Sequence, residues 1–247
     1  MALYKAEGIV LRTRAWGEAD RIVTLISPLR GKLKLMAKGA RRPRNRLAAG
    51  TQLFSYMEIL AAAGSGLDSL SQCEIKDSFR DLRDDLEKMT YGAYIAELVD
   101  ELVPEQEPDE TLFALVLQLF SLLRQRNPRI VVVIAALKLL HRAGYRPRVG
   151  SCVHCGGPGT GDHALFSAAL GGMLCARCAA ADTAAMQTAP ATLGWLERLT
   201  DLDAAAPEKF SLPLTVLKEL EVILGQYIPH CLEKDLKTDK FLTSLRD

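Results

Sequence analysis

Apolar and polar positions alternate with a period of two through the first 76 residues and then give way to a helical period, so the chain reads as a β module followed by helices. Runs of strand length, Tyr4 to Trp16, Arg21 to Ser27, Gly31 to Lys38, Leu53 to Ala62 and Leu67 to Ile75, are separated by turn signals at Gly17, at Ser27 to Gly31 and at Gly64 to Gly66. Five short strands with a long connection between the third and fourth predict an OB-fold barrel. Phe54 and Tyr56 are expected to share one strand face as core or rim packing, and Trp16, beside Gly17, to lie in a loop.

From residue 78 the pattern turns helical. Asp77 or Ser78 can cap a first helix carrying Leu82, Leu86, Met89, Ala93 and Ala96 on one face, closed by Pro104. Its acids Asp81, Asp84, Asp85 and Glu87 suit a helix start and are expected to be solvated. A second helix follows Pro108 and Asp109, its run from Leu112 to Leu123 apolar nearly all round. A third begins at Asn127 and Pro128 and ends near Gly144. After residue 189 come Leu193, Leu196 and Leu199 in a short helix, then Leu214, Leu217, Leu220, Val222, Ile223 and Ile228 in a longer one, and a last short helix around Phe241 to Leu245. The expected architecture is α+β and multidomain: an OB-fold at 1–77, a helical domain from 78–148 and 189–247, and a cysteine module at 149–188 inserted between helices.

Charge sharpens this picture. The 247 residues sum to +1, but by segment the balance is +9 over 1–50, −11 over 51–110, +7 over 111–148 and −4 over 149–247. Such a distribution steers an anionic ligand to one side of a molecule. The stretch Gly31 to Arg46 concentrates seven Lys or Arg in sixteen residues without an acid. As a strand it puts Leu33, Leu35 and Ala37 on one face and Lys32, Lys34, Met36 and Lys38 on the other, with Arg41, Arg42, Arg44 and Arg46 continuing as a loop around Pro43 and Asn45. Crowded arginines repel one another unless a polyanion supplies counter-charge, so phosphate-backbone binding is weighed ahead of plain solvated charge, with Arg12, Arg14, Lys32, Lys34, Lys38, Arg41, Arg42, Arg44 and Arg46 as the candidate nucleic-acid-binding residues and Trp16 as a stacking candidate. The basic stretch from Arg124 to Arg148 reads equally as solvated charge or as a pocket for an acidic partner, with Arg124, Arg126, Arg129, Lys138 and Arg142 as the candidates.

Four of six cysteines form two CxxC pairs, Cys152 with Cys155 and Cys175 with Cys178, nineteen residues apart. Two such pairs complete a tetrahedron about one Zn²⁺, and four sulfur ligands leave no position for substrate water, so the site is expected to be structural. A redox dithiol lacks its βαβ context here, whereas iron would also accept four thiolates. Cys73 and Cys231 stand alone. The start of the chain has no signal-type apolar region and the longest apolar run, Ile130 to Leu137, is far short of the roughly 20 residues that span a bilayer, which predicts a cytoplasmic protein without a membrane partner.

The chain as a whole resembles the RecO family of bacterial DNA-repair proteins. The likeness rests on Gly17-Glu18-Ala19-Asp20-Arg21-Ile22-Val23-Thr24-Leu25, Gly31-Lys32, Ala37-Lys38-Gly39-Ala40-Arg41-Arg42, the Gly-flanked hairpin 64–70, Leu140 to Gly144, Pro147, and Cys152-x2-Cys155-Gly156. Asn45 stands where many relatives carry Ser, and not every member keeps four cysteines. The resemblance implies a recombination mediator near the nucleoid: it binds single- and double-stranded DNA, anneals complementary strands, joins RecR and helps load RecA onto DNA coated by single-stranded DNA-binding protein. It implies no turnover chemistry, and in some members the helical domain receives the acidic tail of that coating protein. Two other readings compete, an OB-fold RNA-binding protein and a zinc-dependent nucleic-acid enzyme, though the zinc-deaminase signature H-x-E with PCxxC is missing.

Overall fold

The structure is a computed structural model that describes residues 2–158, 164–202, 212–239 and 241–242. The chain divides into two compact units, Met1–Arg126 and Asn127–Asp247.

The first unit is built on β1 (Leu3–Trp16), β2 (Asp20–Ser27), β3 (Gly31–Ala37), β4 (Tyr56–Ala62) and β5 (Asp68–Asp77), which close into a barrel in the order β1-β2-β3-β5-β4. That is the strand order of an OB-fold, as the alternation predicts. All neighbours are antiparallel except β3 and β5, which meet in parallel over only Leu35↔Asp68 and Met36↔Ser69. Val10, Val23, Leu25, Leu35, Ala37, Met57, Ile59, Ala61 and Leu70 fill the interior. The short helix α1 (Leu47–Gly50) lies between β3 and β4 and closes one end with Leu47. A register shift between Val10 and Arg12 sets Thr13 opposite Val23, so Arg12 and Arg14 point outward.

Several local expectations change. Trp16 is the last residue of β1 and not part of a loop. Strand β4 begins at Tyr56, while Phe54 precedes it with φ +71 and is fully buried. The first predicted helix is two, α2 (Arg80–Arg83) and α3 (Leu86–Leu102), the latter capped by Asp85, whose side chain accepts from the Lys88 N–H. Its buried face is Tyr91, Ile95, Leu98 and Val99, and Leu86 and Met89 are exposed. Of the expected stripe Leu82, on α2, and Ala96 are buried; spacing of three and four fits both stripes, and the packing of α3 on β1 and α4 turns Tyr91, Ile95 and Leu98 inward. Helix α4 (Glu110–Gln125) is capped by Asp109, which accepts from the Leu112 N–H at 2.9 Å. Its Phe120 packs on Phe54 and Phe79, and its Phe113 on Tyr56, with ring centroids 5.1–5.7 Å apart.

The second unit packs α5 (Pro128–Arg142), α6 (Pro190–Asp201) and α7 (Leu214–Leu232) on one another. Asn127 caps α5 with Pro128 at its first position, as read from sequence, and the chain leaves through Gly144 at φ +87. Leu193, Leu196 and Leu199 are buried on α6, and Leu217, Leu220, Ile223 and Ile228 on α7, whereas Leu214 and Val222 face outward. Between α5 and α6 runs a three-stranded sheet in the order β7 (Gly172–Leu174), β6 (Ala164–Ser167), β8 (Met186–Thr188), with a 3₁₀ turn at Ala176–Ala181. These strands, and the four cysteines with them, fall in sequence between α5 and α6. Of the expected last helix, Phe241 and Leu242 are helical with Leu242 buried, and positions 243–245 lie outside the described residues.

Candidate nucleic-acid interface and metal centre

The predicted basic ridge forms at one end of the barrel, where the β1–β2 turn meets the loop after β3. Gly39 takes φ +67, which a side chain would resist, and its N–H donates to the Asp20 carboxylate at 2.7 Å. The Arg41 N–H donates to Ala19 O at 2.8 Å, and its guanidinium Nη1 to the Gly17 and Glu18 carbonyls, both at 3.1 Å. Asn45 ties the loop from inside: Nδ2 donates to Lys38 O at 3.2 Å and Oδ1 accepts the Leu47 N–H at 2.8 Å. The loop is therefore a held shape. Arg14, Trp16, Lys38, Arg41, Arg42, Arg44 and Arg46 are all exposed, and Arg14, Lys38, Arg42, Arg44 and Arg46 make no ion pair among the described residues.

The other three candidates are engaged elsewhere. Lys32 is 8% exposed; its ammonium donates to the Asp100 carbonyl and lies 3.3 Å from the Asp100 carboxylate. Lys34 pairs with Glu105, whose carboxyl this hydrogen bond holds below the usual range. Arg12 lies 3.7 Å from Asp100. The expected strand face of free cations is thus met by acids from the end of α3 and the segment after it. Asp100 and Glu105 sit within the −11 segment, but nothing local told which lysines they would meet.

In the second unit the four cysteine sulfurs all lie within 4.8 Å of one another, with Cys155 Sγ and Cys175 Sγ 3.8 Å apart. A tetrahedron with Zn–S bonds of about 2.3 Å has edges of about 3.8 Å, so the residues fit the ion. Each CxxC forms a knuckle: the Gly156 N–H donates to Cys152 O and the Cys178 N–H to Cys175 O, both at 2.9 Å. Burial opposes the Cys152 thiolate, but backbone N–H groups of Cys175, Cys155 and His154 outweigh it and lower this thiol to about 6. The Cys155 hydrogen bond and burial push Cys178 up to about 12. Four thiols so close ionise together only around a cation. Cys152 and Cys175 are buried, and the Val153 N–H joins the first knuckle to Met173 O at 2.8 Å, so the site knits the module together. Among the described residues, these cysteines are the one group of three or more His, Cys, Asp or Glu placed to hold a metal.

The basic stretch after residue 123 is shared between the two units. Arg124 forks onto Asp77 at 2.6 and 2.7 Å and onto Asp81 at 2.9 Å, above the Phe79 ring at 4.2 Å. Asp77 and Asp81 were expected to be cap or solvated charge and instead clamp this arginine. Arg126 is exposed. Arg129 makes a two-pronged bond to Glu221, which is 6% exposed, Lys138 donates to Leu202 O, and Arg142 lies exposed near the end of α5. Local charge density announced a patch, and long-range acids absorb much of it. Asp20 and Asn45 brace the ridge through contacts that the sequence does not announce, beyond the place of Asp20 inside the motif 17–25 and of Asn45 among turn-forming residues.

Two family models cover almost the whole chain: "Recombination protein O N terminal" matches residues 1–79 and "Recombination protein O C terminal" residues 83–240. The junction falls where β5 ends, whereas the first compact unit continues to Arg126. The chain is 40% identical over 250 residues to the DNA repair protein RecO of Symbiobacterium thermophilum, covering 100% of this chain and 99% of that one. It is 38% identical to that of Pelotomaculum thermopropionicum, over 98% of this chain and 94% of the relative, and 35% identical to that of Bacillus subtilis, over 98% and 95%. No helix among the described residues is long and apolar enough to cross a membrane. A closed OB barrel with a braced cationic loop, four cysteines in one cluster and matches along nearly the full length agree: the chain belongs to the RecO family of DNA-repair proteins.

Proposed function

We infer that this chain is a non-enzymatic recombination mediator: it binds single- and double-stranded DNA, anneals complementary strands and, with RecR, helps load RecA onto DNA coated by single-stranded DNA-binding protein. The observation that carries this reading is the loop 38–46, which presents Lys38, Arg42, Arg44 and Arg46 without ion pairs among the described residues, in a shape held by Asp20 and Asn45. A rigid row of unneutralised cations attracts phosphates whatever the base sequence. Screening the repulsion between two strands then lets complementary bases meet. Arg14, Trp16 and Arg41 extend the surface, and Arg12, Lys32 and Lys34 join it only by leaving Asp100 and Glu105.

The remaining parts of the reading follow from their chemistry. Cys152, Cys155, Cys175 and Cys178 hold one structural Zn²⁺, which supplies folding energy and no reactive position. In terms of role, 1–77 is the nucleic-acid module, 78–148 with 189–247 the helical module and 149–188 the metal module, all acting in the cytoplasm at the nucleoid. A receptor for the acidic tail of single-stranded DNA-binding protein within 124–148 belongs here too, and such a tail competes with Asp77 and Asp81 for Arg124 and with Glu221 for Arg129.

The test is annealing of complementary oligonucleotides by the full chain over a range of salt, with bare and with protein-coated strands. Fast annealing that survives the coating and fades with salt is expected. DNA binding without annealing would leave only a docking surface, and a consistent preference for RNA of matched sequence would favour the RNA-binding alternative.

A further inference from the structure

The barrel departs from the usual way an OB-fold holds an oligonucleotide, in which the outer face of strands 2 and 3 and the β1–β2 and β4–β5 loops form a groove lined with aromatics. Here the half of that face around Thr24, Ile26 and Lys32 is covered, while Ile22 and Met36 are half-buried and the exposed Lys34 pairs with Glu105. Val23 and Leu25 point into the barrel, so Thr24 and Ile26 point out, as do Ile9 of β1 and Lys32 of β3, and all four are nevertheless buried. Helix α3 packs on β1 and α4 on β2. The segment after α3 closes the remaining edge: Glu105 bridges to Lys32, the Gln106 N–H donates to Lys32 O at 3.3 Å, and a Cβ on Gly31 would lie 2.4 Å from the Glu107 backbone. The β4–β5 loop, Ala63-Gly64-Ser65-Gly66-Leu67, offers neither a cation nor an aromatic ring.

Aromatic platforms are missing as well. Phe54, Tyr56, Phe79, Phe113 and Phe120 pack on one another, and Arg30 lies over the Tyr4 ring at 3.9 Å. Among the described residues of this unit, Trp16 is the one large exposed aromatic side chain. What is left for nucleic acid is chiefly a braced edge of guanidinium and ammonium groups.

Resting on the DNA-binding reading above, we propose that the barrel grips DNA through its phosphates alone at the loop 38–46, and leaves the bases outside the protein, free to pair with a second strand; at most one base touches Trp16. This gives annealing a structural basis, because a groove that stacked the bases would have to release each one before pairing. It also predicts binding indifferent to what the backbone carries.

The experiment compares binding of the full chain to a thymidine oligomer and to an abasic phosphodiester oligomer of equal length, for the unaltered protein and for Trp16→Ala, with permanganate reactivity of the bound thymines as a second readout. Each stacked base is worth roughly fivefold or more in affinity. With Trp16→Ala the two oligomers should bind within about twofold of each other, and the bound thymines should react as fast as free ones. A tenfold or larger advantage of the thymidine oligomer in Trp16→Ala, or protection of several consecutive thymines, overturns the proposal while leaving the mediator function standing if annealing persists. Absence of binding to either oligomer overturns both.

Discussion

The Asp20 carboxylate accepts the Gly39 N–H at 2.7 Å, binding the turn after β1 to the start of the cationic loop. An acid at the root of a DNA-binding loop opposes phosphate by charge and supports it by geometry, and the two effects have opposite signs. Replacing Asp20 by Ala removes a negative charge, which alone would tighten binding. If loop shape dominates, affinity for single-stranded DNA instead falls roughly threefold, because ordering the loop then costs entropy at each binding event. Fluorescence anisotropy at fixed salt decides it, and tighter binding would show the brace to be unimportant.

Cations already paired within the protein should matter less than unpaired ones. Arg42→Gln with Arg44→Gln is expected to weaken DNA binding about tenfold and to lower the slope of log affinity against log salt by about 1 to 2. Lys34→Gln should change affinity less than about twofold, since Lys34 must first leave Glu105. Equal losses from the two variants would mean that Glu105 yields to phosphate.

Arg124 links α4 to the end of β5 through Asp77 and to α2 through Asp81. Arg124→Met leaves both carboxylates without their charge-assisted partner and should cost about 1–3 kcal/mol of stability in denaturant unfolding at neutral pH. The Arg124 hydrogen bond holds the Asp77 carboxyl below its ordinary value of 3.8. A carboxylate depressed in the folded state stabilises fully above its unfolded value and loses that contribution as pH falls through the folded one. The native protein should therefore lose more stability than Arg124→Met between about pH 5 and pH 2. Parallel pH curves would assign the stabilisation to packing over Phe79.

Removing the metal should loosen the second unit first. Chelation, or Cys175→Ser, is expected to raise hydrogen exchange across Gly172–Leu174 and Ala164–Ser167 and to lower the melting temperature, because binding energy at a four-thiolate site is folding energy. Affinity for a short single strand should stay within about threefold, since the cationic loop belongs to the first unit. An unchanged exchange pattern would count against a structural ion.

The sequence by itself determined what depends on residues a few positions apart. Alternation from Gly31 to Ala37 sets Leu35 and Ala37 inward, Asn127 and Pro128 start α5, Asp109 starts α4, and the two CxxC spacings bring four sulfurs within 4.8 Å once the sheet forms. The stripe Leu82, Leu86, Met89, Ala93 and Ala96 is met at Leu82 and Ala96 and missed at Leu86 and Met89, since Tyr91-Ile95-Leu98 satisfies the same local rule and only the packing of α3 on β1 and α4 chooses between them. Tertiary structure alone decided which cations remain for a ligand. Lys32 meets Asp100, 68 positions away, Lys34 meets Glu105, 71 away, and Arg129 meets Glu221, 92 away, while Arg42 and Arg44 meet no acid among the described residues. Charge along a chain is legible from its letters, but neutralisation is a property of distance in space, and folding sets that distance.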